Sequence, residues 1–331
     1  MLILVEDPPD RRPPQARQLT IQMPLLLEGT PLLRVRRLEA FLKLAPTHVK
    51  FEGANSTGTH KDRLARVQVS HAIANGYRTV TVGTCGNHGT ALAYAARKAG
   101  LRCDLFVPGR YHLPRLREMQ AHGAHVEFVE GPYESAVEAS RSHARDHGAY
   151  DANPGADDHA ERGREAYAPI AHEILANLGT APGTVSVPMG NGTTLWGIAE
   201  GFAELRMMGR LERVPRMIGA TTATGNPIVD AHRSGAPVVT DLSPVHLKET
   251  RVNEPLVALH PFDGDHALEA VRATMGTVVP VIDGDMTRMA HWLRRLEHIE
   301  ALAAGCAGLA ATAQQGGTDA PHVAVLTSRL V

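Results

Sequence analysis

The stretch Phe51-Glu-Gly-Ala-Asn-Ser-Thr-Gly-Thr-His-Lys-Asp-Arg63 joins a short β-rich segment to a run of apolar residues at helical spacing. It places Lys61 in the first turn of the predicted helix, where a positive charge opposes the helix dipole and loses its proton more easily. A neutral amine is what a lysine needs to form a Schiff base with an aldehyde. By itself, the stretch fits an exposed lysine beside the ordinary first-turn charges Asp62 and Arg63 at least as well.

Outward from this loop, the chain alternates short β-rich runs with longer helical patterns. The predicted strands are 48–51, 79–82, 103–107, 125–129, 184–187, 217–220, 278–281 and 323–326. The predicted helices are 62–75, 90–99, 136–147, 160–178, 195–208 and 286–314, with the last one divided near Ile299. This alternation predicts an α/β protein with mostly parallel sheets and flanking helices, in which ligands bind in the loops at the carboxyl ends of the strands.

A second candidate functional loop is Thr84-Cys-Gly-Asn-His-Gly89, which lies between a predicted strand and a predicted helix. Its glycines allow close backbone approach, and the start of the helix offers free N–H groups to an anion such as a carboxylate. Asn87 can donate a hydrogen bond to an oxygen that lies across the loop. The candidates for holding a substrate carboxylate are Thr84, Cys85, Gly86 and His88. A plain strand-to-helix turn capped by Asn87 is the alternative.

A third loop, Pro188-Met-Gly-Asn-Gly-Thr-Thr194, also precedes a predicted helix. Glycines, small hydroxyl residues and a helix N-terminus together favour phosphate binding. The loop lacks the Gly-Lys-Ser/Thr of a P-loop, and Leu195 stands where a dinucleotide fingerprint has its third glycine. The candidate phosphate-binding residues are Gly190, Asn191, Gly192, Thr193 and Thr194.

An amine, a polar loop and a phosphate cradle are the parts that a pyridoxal-phosphate (PLP) site needs. With these loops the chain resembles the two-domain, fold-type II PLP enzymes, whose fold is like that of the tryptophan synthase β subunit, and among them it is most similar to the threonine synthases. Further segments carry the resemblance over nearly the whole length: Gly29-Thr-Pro-Leu32, Asn153-Pro154, Glu173-Ile174, Lys248-Glu-Thr250 and Val325-Leu-Thr327.

The resemblance implies a role for each matching residue. Lys61 would carry PLP as a Schiff base and would then act as the general base at the substrate Cα. Asn87 would contact the 3′ oxygen of the cofactor, and the loop at 190–194 would bind its phosphate. The hydroxyl of Thr327 would contact the pyridine nitrogen and leave it largely unprotonated, which suits elimination or replacement better than transamination.

The chain also departs from the family pattern. Ser56 replaces the usual proline of the lysine motif and His60 the usual phenylalanine, and the threonine synthase C-terminal motif is absent. The implied reaction is a PLP-dependent, lyase-type elimination or replacement on a small amino acid, such as O-phospho-L-homoserine. The Asn87-His88 pair is more typical of dehydratases and racemases. A serine/threonine dehydratase-like ammonia-lyase, a cysteine or cysteate synthase-like β-replacement enzyme, and a non-catalytic PLP or amino-acid binding protein therefore stay open.

Composition limits the partners and the organisation of the chain. A hydrophobic fraction of 43% predicts a packed core, whereas residues 7–18, rich in Pro and Arg, are predicted to be irregular. The 34 Lys and Arg balance 35 Asp and Glu, which gives no electrostatic case for nucleic acid or a membrane surface. Isolated cysteines and scattered histidines predict neither a metal site nor disulfides. We expect a cytoplasmic homodimer with a smaller domain at 35–158 and a larger one made of 1–34 and 159–331.

Overall fold

The computed structural model describes residues 29–109, 115–243, 245, 247–316 and 321–330. The predicted irregular segment 7–18 and most of the predicted N-terminal part of the larger domain lie outside these residues. Within the described ranges, the helices are all too short or too polar to cross a membrane.

Two largely parallel sheets form the framework of the fold. The strands are β1 (Leu32–Arg34), β2 (Thr47–Phe51), β3 (Thr79–Gly83), β4 (Arg102–Pro108), β5 (His125–Val129), β6 (Tyr150–Asp151), β7 (Thr184–Pro188), β8 (Arg216–Thr222), β9 (Thr277–Val281) and β10 (His322–Leu326). A six-stranded sheet has the order β1-β2-β10-β7-β8-β9, in which β1 runs antiparallel to β2. A four-stranded sheet has the order β5-β4-β3-β6, and its strand pairs are parallel.

Helices cover both sheets. They are α1 (Arg36–Leu42), α2 (Lys61–Ala74), α3 (Asn87–Ala99), α4 (Leu116–Ala121), α5 (Tyr133–His147), α6 (His159–Leu178), α7 (Thr193–Met207), α8 (Ile228–Ser234), α9 (Gly264–Ala273), α10 (Asp283–Trp292) and α11 (Ala307–Gln315). Because helices lie on both faces, the central strands β7 and β10 are buried along their whole length. This is why apolar side chains can occupy successive positions in β10, as in Val323-Ala-Val-Leu326. In β7 the buried polar side chains of Thr184 and Ser186 are hydrogen-bonded instead.

The predicted strands and the helical segments are confirmed to within three residues at their ends, and the fold class is confirmed as α/β with mainly parallel sheets. The predicted helix 286–314 is divided: α10 ends at Trp292, a π-helical turn follows over Leu293–Glu297, and α11 starts at Ala307. His298 has a φ of 58° at this break, which is the left-handed conformation that ends a helix. Six elements were not predicted, because they are short or lack a clear apolar period: β1, β6, α1, α4, α8 and α9.

Close packing of α6 on α7 fixes the position of the loop at residues 188–194. A Cβ atom on Gly201 would lie 2.3 Å from the carbonyl oxygen of Ala168, and one on Gly197 would lie 2.8 Å from the Cβ of Tyr167. A side chain at either glycine would force the helices apart, since buried packing leaves no slack of this size. The N-terminus of α7 is therefore held against the start of α6.

The two sheets draw on different parts of the chain. The strands of the four-stranded sheet lie between Thr79 and Asp151, inside the range 35–158. Strand β2 also lies within residues 35–158, but it belongs to the six-stranded sheet. There it pairs with β10, with Lys50 opposite Val325. The division of the chain into domains at 35–158 stays a prediction. The pairing of β2 with β10 brings the end of β2, and hence the Lys61 loop, next to Thr327.

Candidate active site

Lys61 is the first residue of α2, in the loop that follows β2. Burial lowers the pKa of its amine from the ordinary 10.5 to about 8, and the negative charge of Asp263 opposes part of this shift. A considerable share of the amine is therefore neutral just above neutrality, as a nucleophile or a general base requires.

Asp62 and Arg63, the two charged residues after Lys61, are buried. The alternative that they are ordinary exposed charges in the first turn of a helix is therefore wrong. The carboxylate of Asp62 accepts hydrogen bonds from the Thr57 hydroxyl at 2.9 Å and from the Thr57 backbone N–H at 3.1 Å. Arg63 is 2% exposed, and its guanidinium pairs with Glu52 and Glu173. These contacts hold the loop from both sides of Lys61 and limit the positions that its side chain can take.

His60 connects the lysine loop to the end of β10. Its backbone N–H donates to the Thr327 carbonyl at 2.8 Å, and its Nδ1 lies 3.1 Å from the same oxygen. Because a carbonyl only accepts, Nδ1 carries the proton. Burial, followed by the charge of Lys61, lowers the pKa of His60 to about 3, so the ring is neutral near pH 7. The structure thus brings Thr327 next to the lysine loop, as the sequence analysis expects of a shared site.

Thr327 itself is almost buried, and its hydroxyl lies beside a glycine. A Cβ atom on Gly305 would lie 3.2 Å from Thr327 Oγ1, so the glycine keeps space open next to this hydroxyl.

The loop before α3 is organised by the hydroxyl of Thr84. Its oxygen accepts hydrogen bonds from the N–H groups of Gly86 at 3.1 Å and Gly89 at 3.0 Å. A Cβ atom on Gly86 would meet no atom within 4 Å, so this backbone faces open space. Asn87 begins α3, and its Oδ1 accepts a hydrogen bond from Arg115.

His88, a candidate for substrate binding, is directed toward α2. Its Nε2 lies 2.9 Å from Oε1 of Gln68 and donates to it, since a carbonyl oxygen can only accept. Burial and the nearby charge of Lys61 lower the pKa of His88 well below its usual value. The ring is neutral, and only its Nδ1 is left for a ligand.

The loop before α7 has the backbone form expected of an anion cradle. Gly192 has a φ of 95°, and a Cβ atom there would lie 2.6 Å from the Asp263 carbonyl oxygen. A Cβ atom on Gly190 would lie 2.9 Å from the carbonyl oxygen of Pro255. Both positions therefore require glycine. Thr193 and Thr194 form the first turn of α7, whose N–H groups have no partners within the helix.

Asp263 and His159 lie beside this cradle, although the sequence analysis did not identify them. The Thr193 hydroxyl donates a short hydrogen bond to the Asp263 carboxylate, which is 4% exposed. Burial raises the pKa of Asp263, but the electrostatic interaction with His159 and the hydrogen bond from the Thr193 hydroxyl outweigh it and keep the pKa below its usual value. His159 Nε2 is 3.5 Å from the same carboxylate.

His159 provides a test of whether a ligand fits here. The side chain is 3% exposed, yet neither ring nitrogen has a hydrogen-bond partner among the residues that the structure describes. An unpaired buried polar atom costs roughly 1–3 kcal/mol, so such an atom indicates a ligand that completes it. A phosphate at the start of α7 would supply acceptor oxygens next to this ring. The chemistry of the donors therefore fits PLP.

The structure thus brings the predicted residues together through specific contacts. Thr327 is tied to the lysine loop through His60, and Asn87 is tied to it through Arg115. Asp263, beside the cradle, acts on Lys61 through its charge, which raises the pKa of the amine. The residues that were missed, Asp263, His159 and Arg115, come from segments without a motif, and no sequence signal distinguishes them.

The fold and this site define a class of protein: an α/β protein with mainly parallel sheets, in which a buried lysine and a glycine-rich loop at a helix N-terminus fit a phosphorylated aldehyde. Residues 24–328 match the family model described as pyridoxal-phosphate dependent enzyme, and the chain belongs to this family. The predictions of family, fold class, PLP as cofactor and a PLP-dependent lyase are confirmed.

Similar proteins agree with this family. The chain is 31% identical to the threonine synthase of Methanosarcina acetivorans over 310 residues, which cover 92% of this chain and 75% of the relative. A solved pyridoxal 5′-phosphate-dependent aspartate racemase aligns with a TM-score of 0.76 at 18% identity, over 92% of this chain and 91% of its own. The serine racemase from Dictyostelium discoideum aligns with a TM-score of 0.73 at 16% identity, over 92% of this chain and 93% of its own. At these identities the solved structures define the fold.

Proposed function

We propose that this chain catalyses a PLP-dependent elimination or replacement on a small amino acid, as threonine synthase does, with O-phospho-L-homoserine or a related β- or γ-substituted amino acid as substrate. The observation that carries the proposal is Lys61, a desolvated amine with a pKa of about 8, which lies at the start of α2 within the electrostatic reach of Asp263 beside the α7 cradle. The identity to a threonine synthase over most of both chains supports the choice of reaction.

In this proposal each part of the site binds one end of the cofactor. The first-turn N–H groups of α7 and the hydroxyl of Thr194 would hold the phosphate. The hydroxyl of Thr193 donates its hydrogen to Asp263 instead. Asn87 would donate to the ring oxygen of the cofactor, and the neutral hydroxyl of Thr327 would contact its ring nitrogen. PLP, when bound, supplies an electron sink for carbanion chemistry at the substrate Cα.

Proton transfer is assigned to Lys61. The Lys61 amine would act as a general base at the substrate Cα, and its lowered pKa keeps part of it unprotonated near pH 8. His60 and His88 are neutral neighbours, so they add no positive charge that would compete with the protonated lysine. The same amine can return the proton later in the reaction.

The loop before α3 is the proposed binding site for the substrate carboxylate. Thr84 Oγ1 accepts two backbone hydrogen bonds, which leaves its own hydrogen free to donate. The N–H groups of Cys85, Asn87 and His88 precede the first internal bond of α3 and can donate to the same anion. Gly86 keeps the approach open because it has no side chain.

One observation favours a second candidate, an ammonia-lyase that acts on an amino acid without a phosphate. Burial and the charge of Glu249 raise the pKa of Glu254 to about 7, and the neighbouring Cys85 thiol opposes part of this rise. Above pH 7, where Glu254 is mostly ionised, its carboxylate repels a phosphate group on the substrate side chain but tolerates a hydroxyl or an amine. Because Cys85 is in the proposed carboxylate loop, this repulsion bears directly on the substrate.

A substrate panel separates these candidates. The purified holoenzyme is incubated with O-phospho-L-homoserine, L-serine, L-threonine or O-acetyl-L-serine with sulfide, with Lys61→Ala as the control. Release of phosphate together with threonine supports the first candidate, and a 2-oxo acid from serine or threonine supports the second. A β-replacement product would indicate a cysteine synthase-like enzyme. Retention of PLP with no turnover of any of them would instead favour a binding protein.

A further inference from the structure

Arg115 is a buried arginine that contacts two of the three loops of the proposed cofactor site, those of Asn87 and Lys61. It is 3% exposed and immediately precedes α4. Its Nη1 donates to Asn87 Oδ1 at 2.9 Å, and its Nη2 donates to the Thr57 carbonyl at 2.7 Å. Its Nη2 also donates to a carboxylate oxygen of Glu118 at 2.7 Å, which balances its charge. One side chain therefore joins the loop of Asn87 to the loop of Lys61.

The hydrogen bond to Asn87 determines which way this amide points. An amide has an accepting oxygen and a donating NH2 group, whereas a guanidinium has donors alone. Arg115 therefore fixes Oδ1 on its own side and turns Nδ2 away. Within the described residues Nδ2 has no hydrogen-bond partner, so it is free to donate to a ligand. A charged donor on the oxygen also polarises the amide, and this makes Nδ2 a stronger donor.

The bond to Thr57 sets the distance between the two loops. Thr57 donates twice to Asp62, the neighbour of Lys61, so its position is linked to the start of α2. Arg115 therefore holds Asn87 at a fixed place relative to Lys61, and the planar guanidinium makes this link geometrically specific.

We propose that Arg115 is a positioning residue that orients the Asn87 amide so that Nδ2 donates to the 3′ oxygen of PLP. This inference rests on the proposed assignment of Asn87 and Lys61 to the cofactor site. Arg115 acts through Asn87 and does not itself touch the cofactor. Without the Arg115 side chain, every residue proposed to contact the cofactor is still present, but the Asn87 amide is free to rotate.

The test is a double-mutant cycle with Arg115→Met and Asn87→Ala, read by titrating apoprotein with PLP and by recording the visible absorption of the lysine-bound cofactor against pH. Each single substitution is expected to raise the dissociation constant of PLP about tenfold, the effect of one lost oriented hydrogen bond. Each is also expected to move the pH midpoint of the visible band upward. Without the donor, the 3′ oxygen more strongly holds the proton that it shares with the lysine nitrogen.

The double substitution distinguishes a positioning role from general destabilisation. If Arg115 acts through Asn87, Arg115→Met adds little in the Asn87→Ala background. If the two effects multiply, or if Arg115→Met leaves the affinity and the band unchanged, the inference is wrong. Arg117→Met is the matched control, because Arg117 is exposed in the adjoining helix α4, and it is expected to leave both readouts as in the wild type.

Two further variants complete the test. If Arg115→Met does not fold, Arg115→Lys is measured instead. A single ammonium cannot match both bonds of the guanidinium fork, so an intermediate shift is expected, and wild-type behaviour would contradict the inference. If Lys61→Ala retains the visible band or Asn87→Ala leaves PLP binding intact, the site assignment fails. If both behave as expected and Arg115→Met alone has no effect, only the inference fails.

Discussion

Arg63 Nε donates a 2.7 Å hydrogen bond to Glu52 Oε2, and this buried pair joins the two ends of the loop that carries Lys61. Glu52 precedes the loop and Arg63 follows it, so the loop is closed by its own flanking residues. Burial raises the pKa of Glu52, but the charge and the hydrogen bonds of Arg63 outweigh it, and the carboxyl group stays ionised. The closure is therefore electrostatic as well as geometric.

Arg63→Met is expected to destabilise the apoprotein by about 3–5 kcal/mol, because it leaves the buried Glu52 carboxylate without its partner. Urea unfolding of the apoprotein measures this. The double variant Arg63→Met with Glu52→Gln is expected to regain part of the loss, since no unpaired charge remains. Arg145→Met is the control: its pair with Glu138 is 64% and 63% exposed and should contribute less than about 1 kcal/mol. Equal losses of unfolding free energy for Arg63→Met and Arg145→Met would contradict the claim that the Arg63–Glu52 pair closes the Lys61 loop.

The lowered pKa of Lys61 predicts a pH dependence of stability. The folded protein releases this proton near pH 8, and the unfolded chain releases it near 10.5. Between these values the unfolded chain binds more protons, so the free energy of unfolding rises with pH through this window. In the apoprotein, the stability difference between wild type and Lys61→Met should increase from pH 8 to pH 10. A difference that does not change over this range would mean that the lysine is solvated in the folded state.

Asp263→Asn is expected to lower the pKa of Lys61 further, because the Asp263 charge now raises it. The rate at which an amine reagent modifies Lys61 in the apoprotein, followed against pH, gives the pKa directly. Asp265→Asn is the matched control, since Asp265 is exposed just two residues away. If both substitutions move the profile equally, the effect is a general change in surface charge and not the local field of Asp263.

Gly192→Ala tests the close contact at the phosphate cradle. A left-handed conformation costs alanine about 1–2 kcal/mol, and here its Cβ would also lie 2.6 Å from the Asp263 carbonyl oxygen. Gly209→Ala is the comparison, since Gly209 has a φ of 68° but nothing within 4 Å of a Cβ atom. We expect a larger loss of unfolding free energy at Gly192 and weaker binding of PLP there alone. Equal losses of stability for Gly192→Ala and Gly209→Ala would show that the backbone around Asp263 can move to make room for the new Cβ atom.

Sequence alone determined the elements whose information is local. The strands 184–188 and 322–326 are short segments rich in valine, and the Lys61, Asn87 and Gly192 loops follow strands and open helices. Such features depend on the period of the side chains and on backbone preference, which neighbouring residues set. Short elements such as β1 and α8 have too few residues for a period to be evident, and they were missed.

Only the tertiary structure decided which side chains share the site. Asp263 lies 70 residues from Thr193 along the chain, and Arg115 lies 28 residues from Asn87 and 58 from Thr57. His159 has no local motif, and His88 is turned to Gln68 by the packing of α3 on α2. Contacts of this kind depend on how sheets and helices pack, since the free energy that selects them is burial spread over the whole core. No short stretch of sequence encodes it.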